Sequence, residues 1–555
     1  PLERLNEPVP LLNRSEKKKK LRPFFFYFRR IGIMDVTENR KGDGMMEKAA
    51  LLALQNGSDV RGIAIPTEKH EATLTADKVT RIGYGFVDWL QKGKNISLSG
   101  EKKVKIAIGQ DSRLSGGDIK KALMAGMAPY AIEIIDVGLC TTPAMFMSTQ
   151  YEDYATDAAI MITASHLPFE YNGLKFFTKT GGAEHEDIEE ILEYAFEMPE
   201  AFVEKEQAAV VTEMDLLSTY AADLQDKIRK GIASAENAEQ PLTGRHIIVD
   251  AGNGAGGFFV DRVLQPLGAD TSGSQFLDPD GTFPNHVPNP DNKAAMKSIQ
   301  DAVIANKADL GIIFDTDVDR SAIVDSDGKA FNRNNLIALI SAVLLTEEPG
   351  ATIVTNSATS AHLETFITEL GGVQDRYLTG YRNVINRGIE LNEAGTNAVL
   401  AIETSGHAAL KENYFLDDGA YLIAKLLIAD AQLSTEGKHL GDLIATLGQP
   451  AETMEYRFTI IEEPIFEVGN AIIKDFAAFI AATEDMTLVA DHLEGVRVNL
   501  GGQYGEGWFI LRLSLHEPLL VWTIESDAVG KLPLIAKTVL PFFKGRPELD
   551  TGHLH

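Results

Sequence analysis

Cysteine is almost absent: Cys140 stands alone among 555 residues. No disulfide can form within the chain, which fits a reducing compartment or a plastid stroma better than secretion. Long apolar runs are missing too. The longest, 336–345, falls well short of the roughly 20 residues that a membrane-spanning helix requires, so a soluble protein with no membrane partner is expected. Basic residues are outnumbered, 52 Lys+Arg against 80 Asp+Glu for a formal net charge of -28. Such a chain repels a polyanion, and nucleic acid is not an expected partner. A small anion is a different case, because Arg, Lys and a metal ion gathered in a cleft outweigh a distant, salt-screened surface field.

Residues 14–30, RSEKKKKLRPFFFYFRR, reverse the charge balance, with eight basic residues opposed by Glu16 alone. Little serine and no amphipathic period argue against a clean transit or membrane-surface segment, and 1–50 is read as a disordered leader. From about residue 55, short apolar runs are followed by Gly, Asp, Ser or Asn and then by an amphipathic stretch, as in VKIAIGQDSRLSGGDIKKAL and RHIIVDAGNGAGGFFVDRVL. Runs without polar alternation fit strands buried on both faces, with helices as crossovers. The body is therefore expected to be α/β, with functional loops at the carboxyl ends of strands. Composition breaks divide it into domains at 51–212, 213–348, 349–450 and 451–555. The last changes to the alternating segments MEYRFTI, EGVRVNL, WFILRL and LLVWTIE, which predict a smaller α+β domain.

Asp315, Asp317 and Asp319 alternate directly after an apolar strand in GIIFDTDVDRSAIVD. Carboxylates so spaced repel one another unless a hard cation gathers them, and oxygen ligands without His or Cys suit Mg²⁺. An EF-hand is excluded, since Arg320 and Ser326 stand where its Gly and Glu belong; a solvated acidic turn is the plain alternative. Gly252, Gly254 and Gly257 formally satisfy G-x-G-x-x-G, but no acidic residue closes the next strand as a dinucleotide site requires. A tight strand-to-helix turn is the better reading. Ser165 in TASHLP lacks a G-x-S-x-G elbow, and His166, adjacent on an extended segment, is poorly placed as its base. Ser165 is left as either a turn residue or the carrier of a group. Glu403, Ser405 and His407 in ETSGH suit sugar hydroxyls or a capped helix start. Arg512 and Ser514 in RLSLHEP suit a phosphate or an edge-strand turn.

Taken together, TASHLP, DTDVDR, ETSGH and RLSLHEP resemble, in order, the phosphoserine, metal, sugar and phosphate loops of the α-D-phosphohexomutase superfamily, the phosphoglucomutases, phosphomannomutases and phosphoglucosamine mutases. QNGSDVRG, PDGTFPNH and LKENYFLDDGAYL look closest to its plant-like or plastid-type branch. The resemblance implies four domains around a cleft: three related α/β domains with mixed, mainly parallel sheets, then the C-terminal α+β domain. It implies an isomerase that interconverts hexose 1-phosphate and hexose 6-phosphate through phosphoserine, with hexose 1,6-bisphosphate as intermediate and activator. Ser165 would carry the phosphoryl group and, with Asp315, Asp317 and Asp319, hold one Mg²⁺ per chain. Lys175 would act as general acid or base if nearby cations lower its pKa, assisted by Arg61 and His407. Arg320, Arg382, Glu403, Ser405, Arg512 and Ser514 would bind the hexose phosphate. The family's phosphate loop runs Arg-Pro-Ser-Gly-Thr-Glu-Pro, whereas Leu513, Leu515 and His516 stand here for its Pro, Gly and Thr. A weakly active paralogue that senses sugar phosphates is therefore the alternative. The cytoplasm is the expected location and the plastid its alternative; the preferred hexose, and the choice between monomer and homodimer, stay open.

Overall fold

Short apolar runs do become strands buried on both faces. AAIMI, LGIIF, TIVTN and AVLAI form Ala158–Ile162, Leu310–Phe314, Thr352–Asn356 and Ala398–Ile402, with every residue of each buried. The computed structural model describes residues 48–99, 102–202, 205–233, 237–490, 492–514 and 517–552. Nearly all of the expected leader falls outside these, as do Leu515 and His516; residues 48–50 open the helix Lys48–Leu52.

Four sheets follow one another along the chain. The first runs in space Gln55–Asn56, Asp59–Ile63, Tyr171–Thr178, Ala158–Ile162, Lys105–Gln110, Glu133–Leu139, Val210–Glu213. The second runs Ala330–Phe331, Ser321–Asp325, Leu310–Phe314, Ile247–Asp250, and the third Val373–Tyr377, Thr352–Asn356, Ala398–Ile402, Ala408–Leu410, Leu416–Asp417. All three repeat one device. A strand with a parallel neighbour ends in a short loop, and the chain returns antiparallel beside it: Ala158–Ile162 with Tyr171–Thr178, Leu310–Phe314 with Ser321–Asp325, Ala398–Ile402 with Ala408–Leu410. The sheets are mixed, as expected, but parallel pairs are not in the majority. A parallel return needs a crossover of a dozen or more residues, so loops this short force antiparallel pairing. Burial alone does not distinguish the two in an apolar run.

The fourth sheet, with Glu452–Ile460, Gly507–Leu513 and Leu519–Ser526 among its strands, is antiparallel throughout. It owns a core centred on Phe458, Phe476, Phe509, Trp522 and Phe543, whereas a single apolar cluster runs through the first three sheets. Contact with the third sheet is polar. Arg497 donates to Ser357 O and Thr359 O, each at 2.9 Å, Ser360 Oγ donates to Glu525 at 2.6 Å, and Thr379 N donates to Glu494 at 3.1 Å.

Buried Asp250 ends the strand Ile247–Asp250 and ties down the loop around His286. Its carboxylate oxygens lie 3.0 Å from His286 Nε2, while Nδ1 faces Val287 O at 3.0 Å. Both ring nitrogens therefore face acceptors, and only the doubly protonated imidazole satisfies both. Burial would lower the His286 pKa, but Asp250 and Val287 O raise it above its ordinary value. A raised folded-state pKa stabilises fully below the unfolded value of about 6.5 and fades as pH rises through the folded value. The gap in melting temperature between wild type and His286→Gln is predicted to narrow from about pH 6 to about pH 9; a gap that widens with pH contradicts this.

Candidate active site

The three return loops, 163–170, 315–320 and 403–407, bring their side chains to one place. Ser165 takes a left-handed φ of 50°. Its Oγ donates to Asp315 Oδ2 at 3.1 Å and accepts from Arg320 Nη2 at 2.6 Å. Arg320 Nη2 also reaches His166 Nδ1 at 2.7 Å, and its charge, with burial, lowers the His166 pKa to about 2. His166 Nδ1 also lies 3.5 Å from Ser165 Oγ, so the two side chains do not point apart as an extended segment would require, because Ser165 is left-handed here.

Asp315, Asp317 and Asp319 are all fully buried, and their ligand oxygens lie within 4.8 Å of one another. Burial and the charge of Asp319 hold the Asp315 carboxyl well above its ordinary range despite Arg320. Burial acts on Asp319 too, but Lys175, His407 and Arg320 outweigh it and bring its pKa down. Asp317 Oδ1 and Asp319 Oδ1 have no hydrogen-bond partner. A buried carboxylate oxygen left unpaired is costly, and two of them beside a third carboxylate form the donor set of a hard cation. These residues fit a divalent metal ion.

Three segments clamp the aspartate loop by its backbone. Ala255 N donates to Thr316 O at 2.8 Å, Thr142 N to Asp317 O at 2.9 Å and Gly419 N to Val318 O at 3.1 Å. Consecutive carbonyls are thus held from beside the second, first and third sheets in turn. Thr142 Oγ1 also donates to the Asp317 carboxylate. Val318, β-branched, is kept at φ 67°, a conformation that persists only when its surroundings enforce it. The glycine fingerprint belongs to this clamp. A methyl group on Gly254 would lie 2.6 Å from Thr316 O, and one on Gly257 would lie 2.3 Å from Leu277 O. Its glycines admit protein backbone, as a tight turn does.

Lys175 is 4% exposed and donates to Asp319 Oδ2 at 2.6 Å, with Asp317 Oδ2 at 3.8 Å. The expectation that cations lower its pKa is corrected. Burial lowers it, but Asp319, Asp317, Asp59 and Tyr381 together raise it well above the ordinary lysine value, because carboxylates surround the ammonium. Arg61 donates to Thr163 O at 2.6 Å and to Asp59 at 2.8 Å. His407 bonds Asp417 through Nδ1 and stacks on Tyr381 with centroids 5.2 Å apart. Burial lowers its pKa, but Asp417 and Asp319 raise it overall.

The remaining residues surround this cluster. Glu403 accepts from Gly380 N at 2.7 Å, Ser405 Oγ lies 3.5 Å from Glu403, and Arg512 is near enough to oppose the upward effect of burial on the Glu403 pKa. Arg512 donates to Leu513 O at 3.2 Å, and its buried Nε has no hydrogen-bond partner among the described residues. Ser514 Oγ accepts from Glu517 N at 3.3 Å. Arg382 pairs with Glu184 and burial lowers its pKa to about 10. It reaches across to the first sheet's domain and lines one pocket with Asp59, Lys175, Asp319 and Asp417, while Tyr381 beside it reaches Asp59 at 3.3 Å. The sequence reading passed over Asp59, Thr142, Asp417 and the Asp111–Arg113 pair. DSR following a strand in IAIGQDSRLSG was the available signal for the last of these.

Three family models match in order. They are described as phosphoglucomutase/phosphomannomutase alpha/beta/alpha domains I, II and III, and they cover residues 53–201, 220–328 and 332–450. The chain belongs to the phosphoglucomutase/phosphomannomutase family. It is a phosphohexomutase-family enzyme, an isomerase of carbohydrate metabolism. Among its relatives, a phosphoglucomutase of Neisseria gonorrhoeae is 28% identical over 88% of this chain and 96% of its own length. A phosphomannomutase/phosphoglucomutase of Pseudomonas syringae is 29% identical over 86% and 92%. In fold, the chain is similar to a phosphoglucomutase/phosphomannomutase family protein of Burkholderia thailandensis, with TM-score 0.71 and 24% identity over 90% of this chain and 98% of that one. It is also similar, at TM-score 0.50 and 12% identity over 83% and 80%, to the N-acetylphosphoglucosamine mutase of Aspergillus fumigatus, solved in complex with GlcNAc-6P and magnesium. Among the described residues no helix is long and apolar enough to cross a membrane.

Gly254→Ala tests the clamp. Its methyl group would meet backbone, which cannot rotate away, so unfolding free energy is predicted to fall by about 1–3 kcal/mol in urea denaturation. An unchanged midpoint would show that the turn does not bear on the loop.

Proposed function

We propose that this family member is an active mutase of hexose phosphates, of the phosphoglucomutase and phosphomannomutase type, in which Ser165 carries the phosphoryl group. The observation that carries the reading is the position of Ser165 Oγ, 3.1 Å from Asp315 in a loop whose Asp317 and Asp319 each keep an oxygen without a hydrogen-bond partner among the described residues. A seryl phosphate there would meet Arg320 on one side and the aspartate cluster on the other. We assign one Mg²⁺ per chain to Ser165, Asp315, Asp317 and Asp319. When bound, it supplies positive charge against the transferring group.

The chain's own residues provide the rest. Arg320, already bonded to Ser165 Oγ, takes oxygens of the phosphoryl group and balances its charge. Lys175, charged in this environment, is a proton donor and Arg61 a fixed positive charge in the cleft. His407, oriented by Asp417 and Tyr381, faces the same space. Glu403 and Ser405 offer a carboxylate and a hydroxyl to vicinal sugar hydroxyls, and Arg512 and Ser514 grip the phosphate that does not react. Each transfer breaks one P–O bond and makes another. The first gives a hexose 1,6-bisphosphate, which turns in the cleft and returns its other phosphoryl group to Ser165, so the net change is isomerisation. The bisphosphate also serves as activator. The plant-like segments support that branch, with the cytoplasm or the plastid as location. A sugar-phosphate sensor with little turnover is the second reading, carried by RLSLHEP, where Leu513 packs against the fourth core instead of shaping a phosphate loop.

A coupled assay on the 1-phosphates of glucose, mannose, glucosamine and N-acetylglucosamine decides between them. We expect glucose and mannose phosphates to be converted, and Ser165→Ala to lower kcat on the order of 10⁴-fold or more. Full activity in that variant removes Ser165 as carrier. Tight binding without conversion of any of the four substrates establishes the sensor.

A further inference from the structure

Arg113 touches none of the reacting groups proposed above, yet its guanidinium is committed to the backbone around Ser165. Its side chain is fully buried. Nη2 donates to Ser165 O at 2.5 Å and to Leu167 O at 2.6 Å, while Nη1 donates to Pro168 O at 2.8 Å and to Tyr171 O at 2.9 Å. One guanidinium therefore gathers four carbonyls of the serine loop. A planar fork with donors on two edges can do this; a single ammonium on a flexible stem cannot.

Arg113 is itself fixed. Asp111 Oδ2 lies 3.3 Å from its Nε, and Asp111 Oδ1 accepts from Arg113 N at 2.9 Å. The same aspartate accepts from Thr163 Oγ1 at 2.7 Å, and that hydroxyl accepts from Ser165 N at 2.9 Å. Ser165 is thus held from both ends of its backbone, N–H through Thr163 and C=O through Arg113. A chain from the second sheet's domain closes the arrangement. The ring of Phe283 lies 5.2 Å from the guanidinium, and a methyl group on Gly281 would come within 2.5 Å of Ser112 O and Leu114 N.

This frame accounts for the left-handed φ of Ser165. A serine outside an extended or helical conformation needs its surroundings to enforce it, and relaxation of the loop would swing Oγ away from Asp315 and Arg320. We propose that Arg113 is a positioning residue for phosphoryl transfer: through four carbonyls, and with Asp111 and Thr163, it sets the backbone conformation that aims Ser165 Oγ at the aspartate cluster. The assignment rests on Ser165 being the phosphoryl carrier.

The test uses full-length wild type, Arg113→Lys and Thr163→Val, each checked for a cooperative thermal transition. Dephosphorylated protein is mixed with glucose 1,6-bisphosphate, and Ser165 phosphorylation is followed by quenched-flow intact mass beside kcat and KM for glucose 1-phosphate. Both variants should keep KM within about threefold and lose about 10²-fold in phosphorylation rate and in kcat, the scale of an ångström-level misplacement. A folded Arg113→Lys protein with the wild-type phosphorylation rate, or a loss that falls on KM alone, overturns the proposal. If Arg113→Lys does not fold, Thr163→Val decides, and wild-type rates in it overturn the proposal equally. Phosphate mapping to a residue other than Ser165 in wild type would remove the carrier reading, an outcome distinct from either.

Discussion

Three carboxylates taken out of water within 4.8 Å of one another are the constraint on which the rest of the structure depends. Burial of one unpaired carboxylate costs several kcal/mol, and the loop 315–320 buries three. Lys175 and Arg320 offset part of that charge. What remains, among the described residues, is two oxygens without a hydrogen-bond partner, a deficit that a divalent cation removes. The chain tolerates this cost because its backbone leaves the loop little freedom: the carbonyls of Thr316, Asp317 and Val318 each accept a bond from a different segment.

That clamp explains why the first three sheets share one apolar core while the fourth keeps its own. A loop fixed from three sides requires those sides to be rigid with respect to one another. Arg512 and Ser514 belong to no such clamp, and the fourth sheet meets the third through polar contacts of Arg497, Glu494 and Glu525.

Much of this was legible in the sequence, for identifiable reasons. Strands buried on both faces announce themselves as apolar runs, and polar residues immediately after them mark strand ends, so Ser165, Asp315, Asp317, Asp319 and Glu403 could be picked out by position. Direction of pairing could not, because burial is the same for parallel and antiparallel neighbours. The charge state of Lys175 was misread because the carboxylates around it come from residues 59, 317 and 319, far apart in the chain. The pairing of Arg382 with Glu184 could not be read for the same reason, since the two lie far apart in the chain. Arg113 was missed since its partners are backbone carbonyls, which leave no trace in side-chain composition.

On the proposed reading Ser165, held beside the aspartate cluster, carries the phosphoryl group between sugar positions. Peptide mapping of the protein after exposure to hexose 1,6-bisphosphate labelled in its phosphates tests this most directly. Label is expected on the peptide that contains Ser165 and should be lost when unlabelled hexose phosphate is added. Turnover of hexose phosphate with no label on that peptide would contradict it.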